Sequence, residues 1–289
     1  MRLSFLAVFL AVAAATLGQP WPRSVLWRIT GPGVAGPAYV LGTLHSRDAR
    51  AYQGNDSVWS ALDACAEVVG ELDDQALAQG GLAMLSAMQM PDGGTLADLY
   101  RRKDLDRVRN ALREHLGLMA LASDRMKPFW SMALLTETLM GKDSARVLDE
   151  AVQLRARAAG KPVSGLETFA EQLAAIDAIP LQDQAAMLLE MVRKDLYRGE
   201  MERMMEAYAR QDMEALLAVV REGGMPSSMD AALLSERNAR MAVRMGERLR
   251  AGCSCFFAVG AAHLPGDGGV LERLRAQGFV LAPVAVEGP

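Results

Sequence analysis

Cysteine and histidine are both scarce in this chain, with three of each among 289 residues. Three cysteines cannot build the disulfide framework that holds small secreted domains together. Positive charge is not in excess: 31 Lys and Arg against 35 Asp and Glu leave a net charge of −4. The broad basic face that nucleic-acid binding needs is therefore not expected. Beyond residue 17 no apolar stretch is long enough to span a bilayer. There is no internal repeat and no low-complexity linker. What is present is globular usage, 51% hydrophobic and 23% charged, in a length that suits one large domain or two small ones.

The first eighteen residues read as a targeting segment. Arg2 supplies a positive start, Leu3 to Leu17 is uncharged, and Ala13-Ala14-Ala15 or Thr16-Leu17-Gly18 offers small residues for cleavage. The run is shorter than the ~20 residues of a spanning helix, so a cleaved signal peptide over 1–18 is the expectation. Export to the periplasm or the medium follows, with membrane attachment only through an uncleaved signal.

Short β-rich runs lie at both ends and helices in the middle. Val25–Thr30 and Ala38–Thr43, joined through Gly31-Pro32-Gly33 and Gly36-Pro37, predict a hairpin. Ser57–Cys65 predicts a helix and Ala66–Leu72 a buried strand. From Asp74 to about Gly160 the pattern is mostly helical, with Leu105, Val108, Leu112 and Leu116 at a 3.6 period. Lys161–Leu166 is the next strand, and helices fill Phe169 to about Glu222 and about Ser228 to Arg250. Cys255–Gly260 is an apolar strand. A short helix over Gly269–Gln277 and a strand over Phe279–Val286 close the chain. The fold class is α/β: a central sheet whose strand ends form the site, with large helical insertions at about 74–159 and 169–250.

Four strands end alike. Val40-Leu41-Gly42-Thr43-Leu44 runs into His45, and Val68-Val69-Gly70 into Glu71. Val163-Ser164-Gly165-Leu166 runs into Glu167, and Phe257 to Ala262 into His263. Ligands of open α/β sheets bind outside the carboxyl ends of strands. Two of the chain's three histidines and two carboxylates at one sheet edge suit a divalent metal.

The same segments resemble the TraB/GumN family, also called TraB/PrgY/GumN, which includes the Tiki-type metalloproteases. Gly42-Thr43-Leu44-His45 is similar to the first Gly-x-x-His motif of that family, and Gly260-Ala261-Ala262-His263 to the second. Asp149, Gly160-Lys161-Pro162-Val163, Gly165-Leu166-Glu167-Thr168 and Gln172 look like its central block. Tyr208 before Asp212, and Arg237-Asn238, also fit. Arg210-Gln211-Asp212 lacks the glycine usual before that aspartate, and Ala261-Ala262 replaces the commoner Ala-Gly. The resemblance covers nearly all of 19–289 as a single domain. It implies a fold similar to erythromycin esterase and the haem-binding ChaN proteins, with a divalent-metal hydrolase-like site.

On that resemblance His45, Glu71 and His263 are the metal ligands. Imidazole nitrogens and a carboxylate leave open positions for water, whose pKa the ion lowers. Glu167 is either a further ligand or the general base. Arg237 is placed to steady an oxyanion or a substrate carboxylate, and Asn238 to orient Arg237 or the substrate. Mixed nitrogen and oxygen ligation admits Zn, Mn, Co or Fe. The expected function is an exported metal-dependent hydrolase, best described as a peptidase acting on a peptide or other small extracytoplasmic substrate. The alternative is a protein that sequesters a peptide, haem or a glycan intermediate on the same scaffold.

Other features read as structural. His115 sits near the end of a charged helix, where a helix C-terminus favours protonated histidine. Cys253-Ser254-Cys255 puts two thiols on one face, able to bind metal but read here as a buried or oxidised pair. The eighteen methionines read as core filler, with a pliable apolar cleft as the sharper reading.

Overall fold

The computed structural model describes residues 21–52, 55–75, 81–139, 143 and 146–285; the expected signal peptide lies outside them. Six strands, β1 (Leu26–Thr30), β2 (Tyr39–Thr43), β3 (Glu67–Gly70), β4 (Val163–Gly165), β5 (Cys255–Gly260) and β6 (Val280–Pro283), form one sheet in the order β4-β3-β5-β2-β1-β6. The contacts β3–β4, β3–β5 and β2–β5 are parallel. The contacts β1–β2 and β1–β6 are antiparallel, so the expected hairpin is present.

The central strands are apolar without alternation because both faces of the sheet are covered. Successive residues of β5 divide between two cores: Phe256 and Ala258 pack on one side, Phe257 and Val259 on the other. The first side is closed by α1 (Asn55–Ala64), by α5 (Leu148–Ala158) and by the pair α8 (Arg198–Ala209) and α9 (Met213–Glu222), through Leu62, Val152, Met205 and Leu216. The second is closed by α10 (Glu236–Arg250) and α11 (Val270–Ala276), through Met241, Met245, Leu249 and Leu274.

The middle helices build a separate core beside the sheet. In α3 (Arg102–Leu116) the residues Leu105, Val108 and Leu112 face α4 (Pro128–Leu139) and α7 (Leu181–Arg193), contacting Leu135, Leu188 and Met191. A fourth group, Met126, Trp130 and Ile176, joins α4 to α6 (Phe169–Asp177) and to Met84 of α2 (Gly81–Met88). These helices overhang the carboxyl edge of the parallel strands and make one wall of a cleft. No helix among the described residues is long and apolar enough to cross a membrane.

Strand ends differ from expectation where a side chain takes the place of a neighbouring strand. Ala66–Leu72 shortens to Glu67–Gly70, and the Leu72 carbonyl accepts from Gln153 Nε2 at 2.8 Å. The helix expected over Ser228–Arg250 carries a π-helical turn at Ala231–Ser235, immediately before Arg237 and Asn238. Such turns are common beside functional residues.

Candidate active site

Parallel register aligns the strand ends. Thr43 pairs with Gly260, Gly70 with Ala258 on one side and with Gly165 on the other. The residues just beyond them therefore emerge at a single edge. Two of the strand-end glycines are there because chain segments approach too closely for a side chain. A Cβ on Gly42 would come 2.8 Å from Leu264 Cδ1 and 3.1 Å from Ala261 Cα, and one on Gly165 would come 2.7 Å from the Glu167 carbonyl.

Glu71, His263, Asn238, Arg237 and Glu167 meet at this edge. Glu71 Oε1 accepts from the Gly260 amide at 2.7 Å and lies 3.6 Å from His263 Nε2. The other ring nitrogen, Nδ1, is 2.6 Å from Asn238 Oδ1. Asn238 Nδ2 donates to the Gly268 carbonyl at 3.3 Å, which fixes the amide orientation and makes Oδ1 the acceptor. The proton of neutral His263 is thus on Nδ1, and the Nε2 lone pair faces a carboxylate oxygen. Two electron-rich atoms face to face call for a cation between them.

Arg237 bridges the two glutamates. Its Nη2 is 2.6 Å from Glu71 Oε2 and 2.7 Å from Glu167 Oε2, and its Nε donates to Glu167 Oε2 at 2.9 Å. Arg240 Nη2 holds Glu167 Oε1 at 3.0 Å, and Gln172 Nε2 reaches both glutamates at 3.3–3.4 Å. The Glu167 side chain is 0% exposed. Both its oxygens are committed, so it fixes Arg237 in place.

His45 stands on the rim, its side chain 65% exposed, with Nδ1 3.7 Å from Asp149 Oδ2. Thr43 Oγ1 donates to the other oxygen, Asp149 Oδ1. Asp149 Oδ2 itself is buried with no hydrogen-bond partner. A buried carboxylate oxygen without a donor is costly unless a cation satisfies it. His45, Asp149, Glu71 and Arg237 line one cleft of about 620 Å³, opposite an apolar wall that includes Phe129, Trp130, Phe169 and Ile176. His45 does not join Glu71 and His263 in a tight cluster. Among the described residues, the group of three metal-capable side chains whose ligand atoms lie within 4.8 Å of one another is Glu67, Cys253 and Cys255, at the opposite edge of the sheet.

The electrostatics favour a bound cation. Three carboxylates (Glu71, Glu167, Asp149) meet two guanidinium groups, and Asp74 and Glu150 add negative charge at the mouth. Burial alone would push the Glu71 carboxyl up. The Arg237 charge and the hydrogen bonds from Gly260 and Arg237 oppose it and hold Glu71 below the usual range, with a further lowering from His263 whenever that ring is protonated. Burial lowers His263, keeping its imidazole neutral. The Asp149 carboxylate facing His45 raises it, against partial desolvation. A donor set of imidazole nitrogens and ionised carboxylates, with His45 giving up its proton on binding, fits a divalent metal of the Zn, Mn, Co or Fe type.

The sequence signals did not assign roles to Thr43, Asp149, Gln172 or Arg240. Arg240 lies one helical turn after Arg237, and that i, i+3 spacing was the available signal. Asp149 and Gln172 were marked only as part of the family's central block.

The chain is 24% identical over 322 aligned positions to the protein named Metalloprotease TIKI2 of Danio rerio, covering 89% of this chain and 60% of that one. It therefore spans about 60% of that relative's length. No solved structure matches it significantly. The TraB/PrgY/gumN family model matches residues 25–283, which takes in all six strands and every residue of the cleft described above. The chain belongs to the TraB/PrgY/gumN family.

Proposed function

We propose that this protein is an exported, metal-dependent hydrolase acting on peptides in the cleft at the carboxyl edge of the sheet. The observation that carries this reading is His263 Nε2 facing Glu71 Oε1 at 3.6 Å while Nδ1 is turned to Asn238 Oδ1. Glu71 and His263 would hold the ion, and the rim pair His45 and Asp149 faces the same edge of the cleft. A divalent cation there supplies Lewis acidity, polarising a carbonyl and lowering the pKa of a water near neutral pH. Arg237, clamped by Glu71 and Glu167, presents its planar fork to a developing oxyanion or a substrate carboxylate. Asn238 keeps the proton of His263 on Nδ1. Glu167 positions Arg237, and Gln172 steadies both glutamates. The apolar wall of Phe129, Trp130, Phe169 and Ile176 sheds water from the reacting end of the cleft. The name of the Danio rerio relative supports peptides as the substrate class, and the Arg2 to Leu17 segment supports export.

A second reading, sequestration of a peptide, haem or glycan intermediate, rests on one observation. Glu167, the carboxylate at the fourth strand end, has no oxygen free to take a proton. The deciding experiment measures metal content of the purified full-length protein, then cleavage of a mixed peptide library with and without chelator. Cleavage lost on chelation and in His263→Ala is the expected result. Metal bound with no cleavage of peptides or esters favours sequestration. No metal affinity overturns the hydrolase reading. Cell fractionation tests export: full-length protein in the cytosol removes that part.

A further inference from the structure

The cleft continues past His45. That side chain lines the cleft and also a neighbouring recess of about 290 Å³, whose apolar lining includes Leu44, Met201, Met204 and Met205. Thr136, Met201 and Met204 are shared with a second recess of about 200 Å³, which continues to Met187 and Met191 of α7. Side by side the two reach the size of ordinary ligand pockets, roughly 300 Å³ and above. Met201 and Met204 stand three residues apart on α8, so they share a helix face and make the wall common to both recesses.

Three features suit this trough to an apolar side chain. Its methionines are unbranched and polarisable, and adapt to occupants of different shape. The charged groups at its mouth satisfy one another. Arg50 donates to Glu202 through Nη1 at 2.6 Å and Nη2 at 2.9 Å, and to Asp48 through Nε at 3.0 Å and Nη2 at 2.7 Å. Arg198 lies 3.6 Å from Asp195. A charged occupant would lose water there and find no free partner, a costly exchange. The turn leading into α8 is strained: Asp195, Leu196 and Tyr197 have φ of 49°, 59° and 57°, and Leu196 and Tyr197 line the inner recess. L-residues avoid consecutive left-handed positions, and such strain persists where packing over-determines it, commonly at ligand sites. Here it sets the direction in which α8 presents Met201 and Met204.

We infer that the two recesses form the specificity subsite of the cleft, taking one large uncharged side chain of the leucine, methionine or phenylalanine kind. The occupant belongs to the stretch of peptide that leaves the cleft past His45, because His45 is where cleft and trough meet. Such selection presupposes the peptide reading of the cleft, and adds to it the kind of residue that the protein selects. Shape tolerance with charge rejection is the pattern that follows. Methionine walls remould around branched, linear or aromatic groups, whereas aspartate and lysine side chains meet no partner in the trough.

The test measures binding rather than turnover, which keeps it apart from the hydrolase reading. Full-length protein, with and without chelator, is titrated with fluorescein-labelled alanine–serine octapeptides that differ at one central residue. Anisotropy is read on samples whose peptide is intact by mass spectrometry. Peptides carrying leucine, methionine or phenylalanine should bind roughly 10–100-fold tighter than those carrying aspartate, lysine or alanine, the worth of burying one such side chain. Met204→Glu puts a charge in the shared wall, and Thr136→Trp fills the trough from α4. Each should remove the preference. Met119→Glu, at an exposed methionine of the helical insertion, should keep it. A wild type with no apolar preference, or a preference unchanged in either Met204→Glu or Thr136→Trp, would overturn the subsite. Apolar peptides bound in that ranking but never cleaved would leave the subsite standing and remove the hydrolase reading. Cleavage without the ranking would do the reverse.

Discussion

Asn238 Oδ1 and His263 Nδ1 lie 2.6 Å apart, both buried, and that contact decides which imidazole nitrogen faces the cleft. Asn238→Leu removes the acceptor while keeping similar bulk. It should lower metal affinity roughly 10–100-fold, the usual cost of losing such a support, with little change in secondary structure. Metal titration of the variant beside wild type checks this; equal affinities would mean the tautomer is set elsewhere.

Glu167→Gln tests the guanidinium clamp. The side chain is unexposed and neutralises parts of both Arg237 and Arg240. Removing one partner of a buried ion pair costs about 3–5 kcal/mol. The expected variant is destabilised in urea, keeps its metal, and turns over substrate more slowly because Arg237 is no longer held. Unchanged stability with a pure loss of turnover would instead point to Glu167 as the proton acceptor.

Asp149→Asn tests the rim. The Asp149 carboxylate favours the protonated form of His45, so the metal-free wild type should hold a proton on His45 to higher pH than an ordinary histidine. An amide cannot do this. In the variant the His45 titration, followed by NMR, should move down toward 6.5, and metal affinity should fall with it. A titration that does not move would separate Asp149 from His45.

Gly165→Ala probes close packing. The added Cβ would sit 2.7 Å from the Glu167 carbonyl and 3.2 Å from both Asp73 N and Glu71 O. The backbone cannot yield cheaply, and overpacking of this kind costs ~1–3 kcal/mol. The urea midpoint should drop accordingly, with the Glu71–Glu167 edge disturbed and activity reduced. Alanine at exposed Gly81, with nothing within 4 Å of its Cβ, is the neutral control.

A pH dependence follows from Glu171, whose carboxyl is held down to about 2 by Arg244, by the Thr168 amide and by the Thr168 hydroxyl. Its folded pKa is below its unfolded one. Its contribution to stability is therefore complete above about 4.5, and is lost as pH falls from there through about 2. The stability gap between wild type and Glu171→Gln should be flat from pH 7 to 5 and close toward pH 2. Parallel denaturation curves across that range are the check. A gap that widens on acidification would contradict the sign.

The sheet and its active edge were legible because parallel strands buried on both faces leave continuous apolar runs. A glycine near each strand end added the close approach that the fold requires. His45, Glu71, Glu167 and His263 could be marked on that signal alone. Which residues they pair with could not. Thr43 meets Asp149 across 106 residues, and Glu167 meets Arg237 and Arg240 across 70 and 73. Periodicity carries no information about such distant pairs. For the same reason Glu167 looked like a free carboxylate until its two guanidinium partners were in view. The π-helical turn at Ala231–Ser235 was also hidden, since its apolar residues suit an ordinary helix equally well.

The position of β5 has a consequence for how the chain comes to be folded. It is the last of the parallel strands to be synthesised, yet it lies between β2 and β3. Until residues 255–260 arrive, β2 and β3 have no shared neighbour, and His263 is not yet available to Glu71. Pairings this distant in sequence form slowly, because loop closure must be met before contacts reward it. The joining of β2 to β3 and the meeting of Glu71 with His263 therefore both wait on the same late segment, residues 255–263.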